Sequence, residues 1–270
     1  TFGGGGHAGR ILSQLDGGKL IAFDQDEDAR ANLPEDDRLV FVPQNFRYLK
    51  RFLRLEGFDQ VDGILADLGV SSHQFDTAGR GFSIRYDGPL DMRMDASTGE
   101  SAADLLKRLD ADSLQSILSE YGEVRNARTL AIEVVNAAKR TPIQTTADLV
   151  RIAEPMAIGP LPKYLAQIFQ ALRIAVNQEI DALKDFLRDS LEVLKPGGRL
   201  VVISYHSLED RLVKNFMRWG GFEAEPEKDL YGNSPQPFKR ITKKPISPSV
   251  EEIKINPRAR SARLRIAEKK

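Results

Sequence analysis

Two short apolar runs in this chain each end on an aspartate: residues 19–23 lead into Asp24, and residues 61–68 close on Asp67. Between them lie an acidic, helix-prone stretch at 26–32, a second short strand at 39–42 and a helical segment at 48–55. Strands alternating with helices in this way build a doubly wound α/β sheet. In such an open sheet, a carboxylate at the carboxyl end of a buried strand faces the ligand crevice. Asp24 and Asp67 are therefore the first candidate site residues.

The chain opens on Thr1-Phe2-Gly3-Gly4-Gly5-Gly6-His7, and residues 8–15 continue as a short helix with Ile11, Leu12 and Leu15 on one face. A glycine turn of this kind normally follows a buried strand, so an N-terminal strand is expected to be missing from this sequence. Gly4, Gly6 and Gly9 satisfy G-x-G-x-x-G, and Asp24 ends the next strand, where a ribose-binding carboxylate would sit. Bare glycine backbone lets a nucleoside-containing ligand approach closely. The lack of a Lys-Ser/Thr pair argues against a Walker-type phosphate loop. Two ligands remain open, a dinucleotide or S-adenosylmethionine. His7 stands where a dehydrogenase loop would present a small residue to pyrophosphate, which favours S-adenosylmethionine.

The alternation breaks after Gly69. Residues 71–95 are irregular and carry Gly79, Gly81, Gly88 and Pro89; helices are expected at 102–109, 113–120, 124–139 and 147–154. Asp112 and either Thr145 or Thr146 are candidate caps. This block reads as a helical insertion. The α/β pattern then resumes: Leu172, Val176, Ile180, Leu183, Leu187, Leu191 and Leu194 are spaced 4, 4, 3, 4, 4 and 3 apart, predicting one helix. Lys195-Pro196-Gly197-Gly198 stops it, a strand follows at 199–204 and a helix at 208–219. The proline-rich stretch 220–249 reads as surface loop, and 263–267 alternates like an edge strand.

Composition matters where it closes routes. The chain has no cysteine, which excludes disulfides, thiolate zinc sites and a cysteine nucleophile. No apolar run approaches the roughly 18 residues that span a bilayer, and no signal peptide opens the sequence, so a cytoplasmic address is the default. Lys+Arg and Asp+Glu balance at 39 each, yet the basic residues gather beyond Lys239, where only Glu251, Glu252 and Glu268 oppose them.

Four segments together give a specific match. They are Thr1-Phe2-Gly3-Gly4-Gly5-Gly6-His7; Asp67-Leu68-Gly69-Val70-Ser71-Ser72 through Gln74; Arg80-Gly81-Phe82-Ser83 with Asp87-Gly88-Pro89-Leu90-Asp91-Met92-Arg93-Met94-Asp95; and Ser204-Tyr205-His206-Ser207-Leu208-Glu209-Asp210-Arg211. With the ending Asn256-Pro257-Arg258-Ala259-Arg260-Ser261, the chain resembles the bacterial ribosomal RNA small-subunit methyltransferase H family over almost its whole length. Residues 163–169 depart from the His-Pro-Ala form common in that family and carry no site assignment.

The resemblance implies a class I methyltransferase fold with an inserted helical domain. The parts would be a methyltransferase domain at 1–74 and 166–270 and a helical, RNA-binding insertion at 75–165. It implies methyl transfer from S-adenosylmethionine to the exocyclic N4 of a cytidine in the decoding region of small-subunit (16S) rRNA, without a metal. Gly5, Gly6 and His7 would hold the methionine end of the cofactor, Asp24 the ribose and Phe46 the adenine, with Asp67 and Gln74 completing the pocket. Methylation at C5 of a pyrimidine needs a cysteine, absent here, whereas an exocyclic amine needs no covalent step. Asp67, Ser204 and His206 are candidates to accept the N4 proton. Arg80, Arg85, Arg93, Arg125, Arg128, Lys139 and Arg140 are candidates to clamp RNA. Plainer readings stand beside these: Asp24 as a helix cap, Phe46 as a core aromatic, His206 as a structural hydrogen-bonding residue. His73 reads as surface, and Trp219, Met92 and Met94 read as packing. The rival functions are a non-catalytic cofactor-binding assembly factor and an NAD-dependent oxidoreductase.

Overall fold

The computed structural model describes residues 1–223 and 236–270. The middle of the stretch read as loop at 220–249 lies outside the described residues. The chain divides into two compact units: Thr1–Gly69 with Ile180–Lys270, and Val70–Glu179. The second contains the segment 75–165.

The first unit begins with α1 (Gly6–Leu12), β1 (Leu20–Phe23), β2 (Leu39–Val42), α2 (Leu49–Leu55) and β3 (Val61–Asp67). The acidic stretch after Asp24 forms a 3-10 turn, Glu27–Asn32, because the Asp26 carboxylate accepts from the Asp28 N–H at 3.2 Å and caps it. β1 and β2 pair in parallel from Leu20↔Leu39 to Phe23↔Val42. The Phe2 N–H donates to the Phe23 carbonyl at 2.9 Å and the Asp67 N–H to Thr1 Oγ1 at 3.0 Å, so the first two residues touch the ends of both β1 and β3.

The second unit is helical: α3 (Ser72–Asp76), α4 (Ala102–Arg108), α5 (Ala111–Gly122), α6 (Ala127–Arg140), α7 (Thr146–Ala153) and α8 (Leu161–Asn177). Leu105, Leu114, Leu118, Leu130, Leu149, Ile168 and Leu172 fill its core. Thr145 caps α7 in a box with Asp148, as expected. Asp112, however, does not cap α5. Asp110 does, since it alone has the extended backbone that lets its carboxylate reach the Ser113 N–H at 2.8 Å, and Asp112 rides in the first turn. Within the irregular stretch, Gly81 (φ 72°) and Gly88 sit so close to the Pro89 and Ala78 carbonyls that neither could carry a side chain unless the loop moved. Met92, with φ 62°, is fully buried, and Met94 packs in the same core.

The helix predicted through 172–194 is two helices. α8 ends at Asn177, Gln178 turns left-handed (φ 50°, ψ 40°), and α9 (Glu179–Val193) begins anew. Asn177 has other partners: its Oδ1 accepts from the Met94 N–H at 2.7 Å and its Nδ2 donates to the Met92 carbonyl at 2.7 Å. Arg173 Nε and Nη2 close the corner on Glu179 at 2.7 and 3.0 Å. The apolar spacing ran on through the break because Leu172 belongs to the core of the second unit, whereas Leu183 and Leu187 belong to that of the first.

The first unit resumes with α9, β4 (Leu194–Ser204), α10 (Ser207–Trp219), β5 (Phe238–Arg240), α11 (Val250–Ile255) and β6 (Arg263–Lys269). Its four-stranded sheet has the order β3-β4-β6-β5, with β3 and β4 parallel and the other pairs antiparallel. Alternate residues Leu200, Val202 and Ser204 of β4 are buried, the pattern of a strand with one face packed on the core. The terminal strand is not at the edge as its alternation suggested. β5, inside the stretch read as loop, pairs along its far side. Ala267 is then fully buried, and Arg265 is buried as well. Among the described residues, no helix is long and apolar enough to cross a membrane.

Candidate active site

The glycine loop is built around Phe2. Its ring is 5% exposed and meets Phe41 edge to face at 5.6 Å, in a small cluster with Ala8, Ala22 and Ala29. Gly5 caps α1 with φ 76°, and a β-carbon there would press on the Phe2 ring at 3.2 Å and the Asn32 carbonyl at 3.3 Å. At Gly3, Gly4 and Gly6 a β-carbon would meet nothing within 4 Å. The loop thus anchors through Phe2 and Gly5 and leaves its remaining backbone open to a ligand.

Asp24 follows β1 and ties the loop down: Oδ2 accepts from the Gly3 N–H at 2.7 Å and Oδ1 from the Asp26 N–H at 3.0 Å. Each oxygen keeps a further lone pair for a ligand hydroxyl. Asp67, the last residue of β3, receives two side chains. Oδ1 accepts from the Tyr205 hydroxyl at 2.9 Å, and Oδ2 lies 3.3 Å from His7 Nε2. The hydrogen bond that His7 donates to the Asp67 carboxylate raises the His7 pKa above its ordinary 6.5, against a smaller opposing effect of burial. Burial, joined by the Asp67 charge, pushes the Tyr205 phenol strongly upward, which keeps it a donor.

Phe46 opens a short 3-10 turn after β2; it is half-buried and packs edge to face on Phe186 at 5.3 Å. Gln74 lies in the second unit and is 4% exposed. Its Oε1 accepts from the Ser71 N–H at 2.9 Å, and its own N–H donates to Ser71 Oγ at 3.2 Å, forming the box that starts α3. Gly5, Gly6, His7, Asp24 and Asp67 share the carboxyl ends of β1 and β3.

The acceptor candidates differ in what they touch. Ser204 is buried, and its hydroxyl donates to the Arg263 carbonyl at 3.4 Å. The His206 ring is 10% exposed; Glu209 Oε1 lies 3.2 Å from Nε2 but outside hydrogen-bonding alignment, so neither ring nitrogen is hydrogen-bonded. Of the basic residues proposed to clamp RNA, two are engaged internally. Arg80 Nη2 donates to the Arg93 and Met94 carbonyls at 3.1 and 3.0 Å, and Arg93 holds Asp91 with two bonds of 2.8 Å. Arg85, Arg125, Arg128, Lys139 and Arg140 are exposed.

Tyr205 carries the cluster and had no role in the sequence reading. The signal was available: it follows buried Ser204 at the end of β4, beside the end of β3, as the pairing Asp67↔Ile203 records.

The whole chain, residues 1–270, matches the family model described as the MraW methylase family. The chain belongs to the MraW methylase family. It is 57% identical over 272 residues to the ribosomal RNA small subunit methyltransferase H of Cytophaga hutchinsonii, covering 100% of this chain and 91% of that protein. It is 56% identical to the protein of that name from Flavobacterium johnsoniae and 53% to that of Bacteroides thetaiotaomicron, covering 100% of this chain and 89% and 90% of those proteins. As a member of the MraW methylases, the chain is a methyltransferase with the class I fold, and the nicotinamide oxidoreductase reading is set aside.

The His7–Asp67 contact in this methylase makes a measurable prediction. In a proton NMR titration, the His7 ring titrates above 6.5, and Asp67→Asn moves its midpoint down toward that value. Since folding raises this pKa, the stability the contact adds is complete below about pH 6.5 and fades as pH rises through the folded value. An unmoved midpoint in Asp67→Asn would show that the two groups are not coupled.

Proposed function

We propose that this methylase transfers a methyl group from S-adenosylmethionine to the exocyclic N4 of a cytidine in the decoding region of small-subunit (16S) rRNA, acting in the cytoplasm. The observation that carries the reading is the pairing of open glycine backbone with two strand-end carboxylates, Asp24 and Asp67, in a methylase whose relatives are named for small-subunit ribosomal RNA. The donor set suits the cofactor: the turn that Gly5 shapes and the open backbone at Gly6 for its methionine end, Asp24 lone pairs for ribose hydroxyls, the half-buried Phe46 ring for adenine. His7 and Asp67 would border the methionine end.

Bound S-adenosylmethionine supplies a methyl carbon on a sulfonium, open to in-line displacement. The protein's residues supply position and charge. The cytidine N4 lone pair is spread into its ring, so an acceptor near the amino hydrogens must take up positive charge as nitrogen attacks. Asp67 fits that role better than Ser204, whose hydroxyl is given to Arg263, since its carboxylate stands at the crevice between Tyr205 and His7. When a methyl group is passed to N4, the Asp67 carboxylate would accept the proton that N4 gives up. Alignment of the three reacting atoms supplies much of the acceleration. A stacked cytosine hides N4, so the RNA must present a splayed nucleotide. The exposed Arg85, Arg125, Arg128, Lys139 and Arg140 would hold the strand.

Labelled-methyl transfer tests the substrate class. With S-adenosylmethionine carrying a tritiated methyl group, label is expected in small-subunit rRNA and not in transfer RNA or protein. Label in either of the latter, with none in rRNA, would overturn the reading. Cofactor binding without transfer to any of them would favour the non-catalytic assembly factor instead.

A further inference from the structure

A further concavity lies beside Tyr205. It has a volume of about 240 Å³ and is lined by Tyr205, His206, Ser207, Ser247 and the segment Arg260 to Arg263. The amino end of α10, a helix of 13 residues, opens into it with His206 as N-cap, and no side chain caps that end. A helix start carries a partial positive charge and backbone donors suited to an anion. His206 gives an independent sign of unmet hydrogen bonding. Its ring lines the concavity and is only 10% exposed; Glu209 Oε1 lies 3.2 Å from Nε2, yet neither ring nitrogen is hydrogen-bonded. A buried donor or acceptor without a hydrogen bond costs free energy that a ligand can recover.

The local charges suit an anion. Arg260 is exposed on the rim, and Arg263 is half exposed. Both carboxylates of the first helical turn are engaged by other groups. Asp210 is held by Arg265 at 2.6 and 2.9 Å and by Arg263 at 3.2 Å; Glu209 accepts the Tyr205 N–H at 3.0 Å through one oxygen and lies 3.2 Å from His206 Nε2 with the other. Ser247 and Ser261 line the same concavity.

We propose that this concavity binds a backbone phosphate of the RNA strand next to the nucleotide being methylated. Tyr205 ties the two places together, since it lines the concavity while its hydroxyl holds Asp67. A phosphodiester seated on the start of α10 and on Arg260 sets the register of the strand, and base-edge contacts elsewhere choose the nucleotide. This assignment rests on the RNA-methylating function proposed above.

The test measures binding of a small-subunit rRNA transcript to the full-length protein across a range of potassium chloride, for wild type and Arg260→Gln. Loss of one phosphate contact is expected to weaken binding roughly three- to tenfold and to make the salt slope shallower by about one. Affinity for S-adenosylmethionine and the thermal midpoint stay at wild-type values. Ser261→Asp, which puts a carboxylate on the wall, is expected to weaken RNA binding further and serves if Arg260→Gln fails to fold. Wild-type RNA affinity and slope in both variants, in a preparation that methylates rRNA, overturn the proposal alone. A wild type that methylates no RNA defeats the underlying function instead. If Arg260→Gln weakens only the binding of inorganic phosphate, the concavity takes a free anion and the proposal is wrong.

Discussion

Asp67→Asn is expected to lower kcat for methyl transfer roughly 10²–10³-fold, the usual cost of losing a positioned proton acceptor or charge at a reacting centre. The substitution keeps the shape of the side chain. The amide oxygen can still accept the Tyr205 hydroxyl, which Asp67 Oδ1 now accepts at 2.9 Å, so the end of β3 stays in place. What changes is the other atom. An amide NH2 replaces Oδ2 facing His7 Nε2, and the negative charge proposed to offset the developing positive charge on N4 is gone. Affinity for RNA is expected to change little, because Asp67 acts on the transition state more than on the bound strand. Steady-state kinetics on rRNA separates these effects. A kcat within threefold of wild type would remove Asp67 from the chemistry and return the acceptor role to His206 or a backbone carbonyl.

The second large effect is on stability. Asp210→Ala is expected to cost about 3–5 kcal/mol, because it leaves the buried Arg265 guanidinium without its carboxylate. Asp210 and Arg265 are 9% and 8% exposed and share two bonds of 2.6 and 2.9 Å, so the lost pair joins the start of α10 to the middle of β6. Removing both charges together, as in Asp210→Leu with Arg265→Met, is expected to recover most of the loss, since no buried ion is then stranded. Urea unfolding of the single and double variants gives the comparison. The pair also makes stability depend on pH. Burial alone would raise the Asp210 pKa, but the Arg265 hydrogen bonds and charge outweigh it and hold the carboxyl below its usual 3.8. Its contribution is therefore complete above about pH 3.8 and is lost as pH falls through the folded value. A single Asp210→Ala variant as stable as wild type would contradict this account of the sheet.

Which parts of this architecture can be read without coordinates follows from how local the physics is. Strand ends were legible because β1 and β3 are apolar runs that stop on aspartate, and the crevice of an open sheet lies where such strands stop. The break at Gln178 was not. Apolar spacing records only that each turn buries a face, and here one periodic stripe serves two separate cores. The place of β6 was hidden for another reason. Whether a strand is an edge depends on its neighbours, and β5 is three residues long inside a proline-rich stretch. The buried Arg265 is polar in sequence and becomes interior only through Asp210, 55 residues away. Tyr205 was missed for a like reason, because its meaning comes from Asp67, 138 residues away. The excess of basic residues beyond Lys239 was legible despite the even balance of 39 residues of each sign, but not that Arg260 and Arg263 line a concavity at the start of α10.

The central claim is that this crevice puts a methyl group on N4 of a cytidine in small-subunit rRNA. Mass spectrometry of nucleosides from small-subunit rRNA, with and without the gene for this protein, tests it most directly. The account predicts that an N4-methylated cytidine disappears on deletion, returns with the wild-type gene and fails to return with Asp67→Asn. An unchanged amount of that nucleoside after deletion, or the loss of a nucleoside methylated elsewhere, would contradict it.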